Sequence, residues 1–406
     1  MRSETAGVTV IIPTFNRAAY IAASLESIFG QTGPPEQVIV VNDGSTDDTQ
    51  AVLRPFLSRI TYIEKENGGK PAAINTALPH VTGDYIWIFD DDDIACEDAL
   101  ARHVETLRRH PRAGFTFGHS YHCSSHPDTG ILCIRHERRI PWFEEGDDFF
   151  RLLMSSYVAS PAVLVRTSLQ MAAGPYQEGL DRSEDFEIAI RWSLRAPAVR
   201  TIGDQPTYFR RFHDGLRGSA DNRFAYAENM PRSRMAERDI LRSHAHEIPL
   251  NRYLPRAQWD TPLDQWSRQR ALFRRLTVQM RKGMWEEALE DLYSLSADGF
   301  STDNLDEEQE TLAWKTFPDV HSVADLNEST VAGELRDVIN RPGFHGLRAI
   351  WGKRLQRLLQ NQVATEGLRP ALPVATAYQR LLGTSRLGGL VVDELAMRAK
   401  QTLRRG

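Results

Sequence analysis

The first half of the chain alternates short apolar runs with amphipathic stretches, and this alternation limits the possible folds more than any other feature. The apolar runs are rich in β-branched residues, as expected of buried parallel strands. They read VTVIIP (8–13), QVIVVNDGS (37–45), ITYIEKE (60–66) and DYIWIFD (84–90). Between them lie stretches with helical spacing at 18–31, 45–57 and 69–81. This alternation predicts an α/β fold, in which helices cover both faces of a mostly parallel sheet.

Polar, turn-rich segments follow each of the four predicted strands. In chain order they are PTFNR (13–17), NDGSTDD (42–48), ENGGK (66–70) and DDDD (90–93). Asn, Asp and Gly form turns in any case, so one such segment alone indicates only a turn. In an open parallel sheet, however, ligands bind at the carboxyl ends of the strands, which lie along one edge. Four polar loops at that edge therefore predict one binding site.

Four consecutive aspartates, Asp90 to Asp93, follow the fourth apolar run. Hard cations such as Mg²⁺ and Mn²⁺ prefer oxygen ligands, and alternate residues of an extended segment point the same way. Asp90 and Asp92 are therefore the predicted metal pair. Asp91 and Asp93 are predicted to be spectators or to cap the helix of residues 95–107. The alternative is an acidic helix start without a metal, for which one or two acids would suffice.

The composition is that of an ordinary globular protein, with 41% hydrophobic and 25% charged residues in a chain of 406. A net charge of −5 argues against a nucleic-acid binder. Three cysteines without a CxxC pair favour a reducing compartment. The N-terminus lacks a signal peptide, and no window approaches the roughly 20 apolar residues that span a bilayer. We therefore expect a cytoplasmic protein whose membrane contact, if any, is peripheral.

In order and spacing, the strand and loop segments resemble those of the family 2 glycosyltransferases, over about residues 8–219. The resemblance rests on VTVIIPTFNRAAYIAASLESIFGQ, VIVVNDGSTDDT, ENGGKPAAINTAL and GDYIWIFDDDD. It implies a GT-A fold, an inverting mechanism, a nucleotide-diphosphate sugar (a UDP-sugar by default) and Mn²⁺ or Mg²⁺. The acceptor would be a glycan, a lipid-linked saccharide or a protein. The QxxRW motif of processive synthases is absent, so we expect transfer of one sugar at a time.

The resemblance also implies roles for individual residues. Asp90, Asp92 and His213 would be the metal ligands. Asp185 would be the general base, although the local sequence alone would suggest a helix cap. Ile74 stands where many relatives have an arginine, so the cation near the diphosphate is assigned to Lys70. The residues implied to contact the nucleotide sugar are Pro13, Thr14, Phe15, Asn16, Arg17, Asp43, Asn67, Gly69, Lys70, Asn75, Asp90, Asp91 and Arg211.

Two other functions are compatible with paired aspartates beside a parallel sheet. A sugar-phosphate nucleotidyltransferase would usually have a glycine-rich basic loop after the first strand, where this chain has PTFNR. A catalytically silent nucleotide-sugar-binding protein would not need Asp90, Asp92 and Asp185 together. A separate group of histidines and cysteines between 119 and 136 has no zinc-motif spacing, so we predict a hairpin there instead of a zinc site.

The remaining chain lacks strand patterns, and we predict domains at 1–222 and 223–406, the second mainly helical. A helix hairpin is predicted, with Trp266, Phe273, Leu276 and Met280 on one apolar stripe and Trp285, Leu289 and Leu292 on the other. Residues 286–335 hold fourteen acids and one lysine, whereas residues 348–406 hold eleven Lys or Arg and three acids. The two segments could pair, or the basic one could meet an anionic membrane or acceptor. We favour an accessory domain with solvated charged faces.

Overall fold

A computed structural model describes residues 7–125, 132–141, 143–180, 182–213, 229–317 and 320–383. The chain forms two compact units, Met1–Ile240 and Leu241–Gly406. The predicted domain boundary after residue 222 lies outside the described residues and stays a prediction.

Eleven strands in the described part of the first unit form two sheets. The strands are β1 (Val8–Thr14), β2 (Gln37–Asp43), β3 (Thr61–Lys65), β4 (Tyr85–Ile88), β5 (Ile94–Ala95), β6 (Phe115–Phe117), β7 (Ser120–Ser125), β8 (Leu132–Arg138), β9 (Leu164–Arg166), β10 (Ala198–Arg200) and β11 (Tyr208–Phe212). The larger sheet has the order β10-β6-β9-β4-β1-β2-β3, and the smaller has β5-β11-β7-β8.

The larger sheet is parallel except for β9, which runs antiparallel to both of its neighbours. The four predicted strands are confirmed as β1 to β4. Seven consecutive residues of β1 are buried, which explains its apolar, β-branched sequence. Pro13 lies beyond the last β1–β4 pair, Ile11 with Ile88, so its missing N–H does not interrupt pairing with β4.

The described helices of the first unit include the three predicted from helical spacing. The α-helices are α1 (Ile21–Phe29), α2 (Thr49–Leu53), α3 (Lys70–Ala77), α4 (Ala99–Arg109), α5 (Asp148–Met154), α6 (Thr167–Ala173), α7 (Glu184–Arg195) and α8 (Asn229–His244). The predicted ones are α1 to α3, and α8 extends past Ile240. The core holds the fully buried Trp87 and Phe89, whose rings pack edge to face at 5.0 Å. The Trp87 indole N–H donates to the carbonyl of Pro161, so this large side chain is buried without an unpaired donor.

The predicted helix cap by Asp91 or Asp93 is wrong. Helix α4 begins at Ala99, and Asp98 occupies its N-cap position without a side-chain capping bond. Asp91 and Asp93 accept hydrogen bonds from the backbone N–H groups of Phe15 and Arg211, which lie far away in the sequence.

The described part of the second unit is helical. Its helices are α9 (Gln265–Lys282), α10 (Trp285–Ala297), α11 (Glu307–Lys315), α12 (Val320–Glu328), α13 (Ala332–Ile339), α14 (His345–Thr365) and α15 (Leu368–Leu382). Asp264 caps α9 by accepting from the N–H of Ser267, and Gly283 ends the helix in the left-handed region at φ 76°. None of the described helices has both the length and the apolar composition needed to cross a bilayer.

Helices α9 and α10 form the predicted hairpin, with one correction. Phe273, Leu276 and Met280 are buried, but Trp266 is 60% exposed. The guanidinium of Arg270 lies 5.5 Å from the centre of the Trp266 ring and covers part of it. The two helices are joined by a partly buried ion pair in which Arg275 donates two hydrogen bonds to Asp291.

Acids of the segment 286–335 pair with arginines of α9. Besides Asp291, Glu308 lies 2.9 Å from Arg274 and 2.7 Å from Arg270. These two acids therefore have partners outside the basic segment. The pairing predicted between the two charged segments stays a prediction.

Candidate active site

The four polar loops that follow β1 to β4 meet at one edge of the sheet. Asn16 joins the first two, because its side-chain oxygen accepts from the N–H groups of Thr46 and Asp47, at 2.7 and 3.3 Å. The Asn16 N–H donates to the hydroxyl of Ser45. Asn16 has φ 54°, a left-handed conformation that asparagine tolerates better than most residues. The first loop is therefore held in shape by its asparagine.

Asp43 joins the second loop to the third. Its carboxylate accepts from the N–H groups of Gly68 and Gly69, at 3.0 and 2.8 Å, and from Lys65 at 2.7 Å. The side-chain amide of Asn67 donates to the same carboxylate and to the Asp43 carbonyl. Asp43 and Asn67 thus shape this loop in the free protein, and their predicted nucleotide contacts stay predictions.

The four aspartates after β4 form the acidic centre of the site. One oxygen each of Asp90, Asp92 and Asp93 lies within 4.8 Å of the other two. Burial raises the pKa of the Asp91 carboxyl to about 7, although Arg17 acts in the opposite direction. Burial and the charges of Asp92 and Asp90 raise the pKa of Asp93 well above its ordinary value.

Clustered carboxylates of this kind fit a divalent cation, because a hard cation needs several oxygen ligands and relieves their mutual repulsion. Across the described residues, this is the one group of three or more acidic, histidine or cysteine side chains with metal-binding geometry. It contains Asp93, which the alternation of an extended segment does not predict as a ligand. No such group is found among the described histidines and cysteines between 119 and 136, and His126 lies outside the described residues. The hairpin predicted there is confirmed as β7 and β8, which pair antiparallel.

Basic side chains approach the acidic centre from three directions. The Nε of Arg17, in the first loop, lies 3.6 Å from both Asp91 and Asp92. Lys70, at the start of α3, places its Nζ 2.7 Å from Asp90. His213, just after β11, places Nε2 2.9 Å from Asp92. Arg17 and Lys70, from two separate segments, therefore balance part of the acidic charge, and His213 adds a hydrogen-bonding contact with Asp92.

Strand β11 brings Arg211 against the same aspartates. Its backbone N–H donates to Asp93 at 3.0 Å, and its Nε donates to the carbonyl of Asp92. Tyr20 was missed in the sequence: its ring stacks on His213 at 4.6 Å and lies 5.1 Å from the Arg211 guanidinium. Tyr20 precedes α1 in a stretch that shows only helical spacing, so its contact with a distant histidine leaves no local signal.

The side chains of Pro13 and Thr14 are buried at the end of β1, and Phe15 is half-buried. Gly69 has φ 85° and leads into α3, where little surrounds its Cα: an added Cβ would meet only Pro71, at 3.9 Å.

The side chain of Asn75 is bonded to the backbone of Tyr176. Its amide donates to the carbonyl of Tyr176 at 2.9 Å and accepts from the N–H of the same residue at 2.7 Å.

Asn75 therefore acts as a clamp on the segment that carries Tyr176. Asn75→Ala should lower the free energy of unfolding by about 1–3 kcal/mol, because two backbone groups lose their partner. Urea unfolding would measure this. The control is Gln50→Ala, which removes one exposed side-chain bond to Glu64 and should change stability by no more than about 0.5 kcal/mol. Equal stability of the two variants would contradict the clamp.

Asp185 lies in the first turn of α7. Ser183, two residues earlier, has φ 60°, a left-handed backbone that turns the chain into the helix. Asp185 borders an apolar cavity of about 10 Å³, the room of about one water molecule, which is also lined by Ile88, Tyr176 and Trp192. Burial, together with the charge of Glu184, raises the pKa of Asp185 to about 7, with Lys70 opposing.

Comparison with known proteins identifies the family that one segment of the chain matches. Residues 9–170 match the model of glycosyl transferase family 2. An uncharacterised glycosyltransferase of Rickettsia prowazekii is 25% identical over 185 residues, 46% of this chain and 58% of that protein. The glycosyltransferase GlyA of Streptococcus pneumoniae is 42% identical over 103 residues, 25% of this chain and 14% of GlyA. The alignments thus cover less than two thirds of either relative.

Among solved structures, residues 1–349 of Staphylococcus aureus TarS in complex with UDP-GlcNAc align with 92% of this chain and 90% of theirs, at 18% identity and a TM-score of 0.46. A likeness at that level gives no information about the donor of this chain. The predicted α/β architecture is confirmed by the sheet itself, and the predicted family is confirmed for the matched segment, residues 9–170. The segment that supplies β1 to β4 and the acidic centre belongs to glycosyl transferase family 2.

Proposed function

We propose that the chain transfers single sugars from a nucleotide-diphosphate sugar to an acceptor hydroxyl, with inversion at the anomeric carbon and dependence on a divalent cation. The observation that carries the proposal is the acidic centre at the carboxyl edge of the sheet, linked through Lys70 to the segment that holds Asp185. The family match supports glycosyl transfer as the reaction class.

Asp90, Asp92 and Asp93 would hold a Mn²⁺ or Mg²⁺ ion, with His213 beside Asp92. When bound, such an ion supplies charge neutralisation for the departing nucleoside diphosphate. Lys70 and Arg17 would add positive charge beside the phosphates. Arg211 is anchored to Asp92 and Tyr20, which suits a residue that holds the acidic segment in place as much as one that binds phosphate.

Asp185 would act as the general base. The acceptor hydroxyl gives its proton to the Asp185 carboxylate as its oxygen bonds to the anomeric carbon. The bond from that carbon to the diphosphate oxygen breaks on the opposite face, and its electron pair leaves with the nucleoside diphosphate. The apolar side chains around Asp185 favour this role, because they make the carboxylate a stronger base than it would be in water.

The donor is a UDP-sugar by default, and the acceptor is a glycan, a lipid-linked saccharide or a protein hydroxyl. Peripheral membrane contact through the basic segment 348–406 stays a prediction, and residues 384–406 lie outside the described part of the chain.

The test is release of nucleoside diphosphate from a panel of sugar nucleotides, in Mn²⁺ or Mg²⁺ and in EDTA. Release that stops in EDTA and returns with Mn²⁺ is expected, and NMR of the product should show an inverted anomeric configuration. Release of pyrophosphate from a nucleoside triphosphate and a sugar phosphate would instead support a nucleotidyltransferase. Donor binding without turnover would support a silent binding protein.

The rate of transfer should depend on pH near neutrality. Because the pKa of Asp185 is raised to about 7, the basic form is lost as the pH falls through that value. We expect kcat/KM to rise about tenfold for each pH unit below about 6.5 and to level off above about 7.5. A profile that is flat between pH 5.5 and 8 would exclude Asp185 as a base with this pKa.

A further inference from the structure

Lys70 lies between the acidic centre and the start of α7, and it contacts both. It is the first residue of α3, after Gly69, so its backbone position is set by the glycine turn that Asp43 holds. Its Nζ lies 2.7 Å from Asp90, 2.8 Å from Glu184 and 3.2 Å from the hydroxyl of Ser160. One ammonium group thus bridges the acidic centre and the helix that carries the general base.

Glu184 is the partner of Lys70 on the base side. Its side chain is only 13% exposed, and it is the first residue of α7, immediately before Asp185. Burial alone would raise the pKa of Glu184, but the charge and hydrogen bond of Lys70 bring the pKa below its ordinary value. Glu184 is therefore ionised at neutral pH, and its charge is balanced by Lys70.

The charges explain why this arrangement needs both residues. Without Glu184, Lys70 would have Asp90 as its only carboxylate partner within hydrogen-bond distance among the described residues and would remain drawn to the acidic centre. Without Lys70, the carboxylates of Glu184 and Asp185 at the start of α7 would lose the ammonium group that offsets their mutual repulsion. The Lys70–Glu184 ion pair thus sets the position of the ammonium group and stabilises the first turn of α7.

We propose that Glu184 is a positioning residue, which acts through Lys70 to keep the ammonium between the acidic centre and Asp185. The proposal rests on the glycosyl transfer proposed above, with Asp185 as base. It assigns to Glu184 no direct contact with donor or acceptor.

A double-mutant cycle tests whether Glu184 acts through Lys70. The four proteins are the wild type, Glu184→Gln, Lys70→Met and the double variant, and kcat and KM for the donor are measured for each. Glu184→Gln alone should lower kcat/KM roughly tenfold, whereas in the Lys70→Met background the same change should matter less than about threefold. Equal effects in both backgrounds would overturn the proposal, because Glu184 would then act independently of Lys70.

Two additions keep the test decisive. Glu184→Asp retains the charge but shortens the side chain. It should recover part of the lost rate if pairing is what matters, and thermal unfolding of each variant reports folding. Mn²⁺ titration of the same four proteins repeats the cycle without a donor: Glu184→Gln should weaken Mn²⁺ binding, and this effect should shrink when Lys70 no longer competes for Asp90. Should the wild type show no turnover with any donor, the proposed function fails, and equal Mn²⁺ effects in both backgrounds would still overturn this inference.

Discussion

Asp185→Asn should lower kcat by about 10²–10⁴-fold while leaving the dissociation constant of the donor within about threefold. Asparagine has nearly the same shape, so the start of α7 is preserved, but its amide cannot accept the proton of an acceptor hydroxyl. The donor would be bound mainly by residues of the acidic centre and the four loops, which this change does not touch. Steady-state kinetics and calorimetric titration of the donor would measure the two quantities.

The control for this variant is Asp337→Asn, an identical chemical change at an exposed residue of α13, outside the four loops and the acidic centre. Its kcat should equal that of the wild type. If Asp185→Asn transferred sugar at the wild-type rate, the base would have to be another group. If it lost donor binding as well, Asp185 would be part of the donor site and its role as base would need revision.

Asp90→Asn should weaken Mn²⁺ binding and lower kcat/KM by roughly 100-fold or more, since several kcal/mol of charge stabilisation depend on the ion and each 1.4 kcal/mol is a factor of ten. Asp90 lies in the acidic group and also pairs with Lys70, so the change removes a ligand charge and frees the ammonium. Calorimetric titration with Mn²⁺ alone would measure the first effect independently of catalysis.

Asp337→Asn again serves as the matched control and should bind Mn²⁺ like the wild type. Thermal unfolding with and without Mn²⁺ adds a second measurement, because an ion that binds only the folded protein raises the unfolding temperature. That rise should be smaller for Asp90→Asn than for the control. Unchanged Mn²⁺ affinity in Asp90→Asn would mean that the ion, if it binds, uses other ligands.

The sequence predicted the strand–helix alternation of residues 8–90 because burial of a parallel strand on both faces demands an apolar, β-branched run. It also predicted that the loops after β1 to β4 would meet, because parallel strands present their carboxyl ends at one edge. These are consequences of local periodicity and of chain direction, which a sequence displays. The reversed strand β9 has no such signature, since three residues carry too little pattern to show their direction.

The pairing of charges was decided by tertiary structure. The period-two alternation of a strand predicted that Asp91 and Asp93 point away from the metal pair. Strand β4 ends at Ile88, however, and beyond it the backbone turn sets where each carboxylate points. Asp93 consequently joins Asp90 and Asp92, while Asp91 faces Arg17. The contacts of His213 with Asp92 and of Lys70 with Glu184 join residues more than a hundred positions apart. The sequence by itself therefore determined that an acidic, loop-built site exists. Only the folded chain decided which charges share it, because side-chain direction outside regular strands depends on packing and not on period.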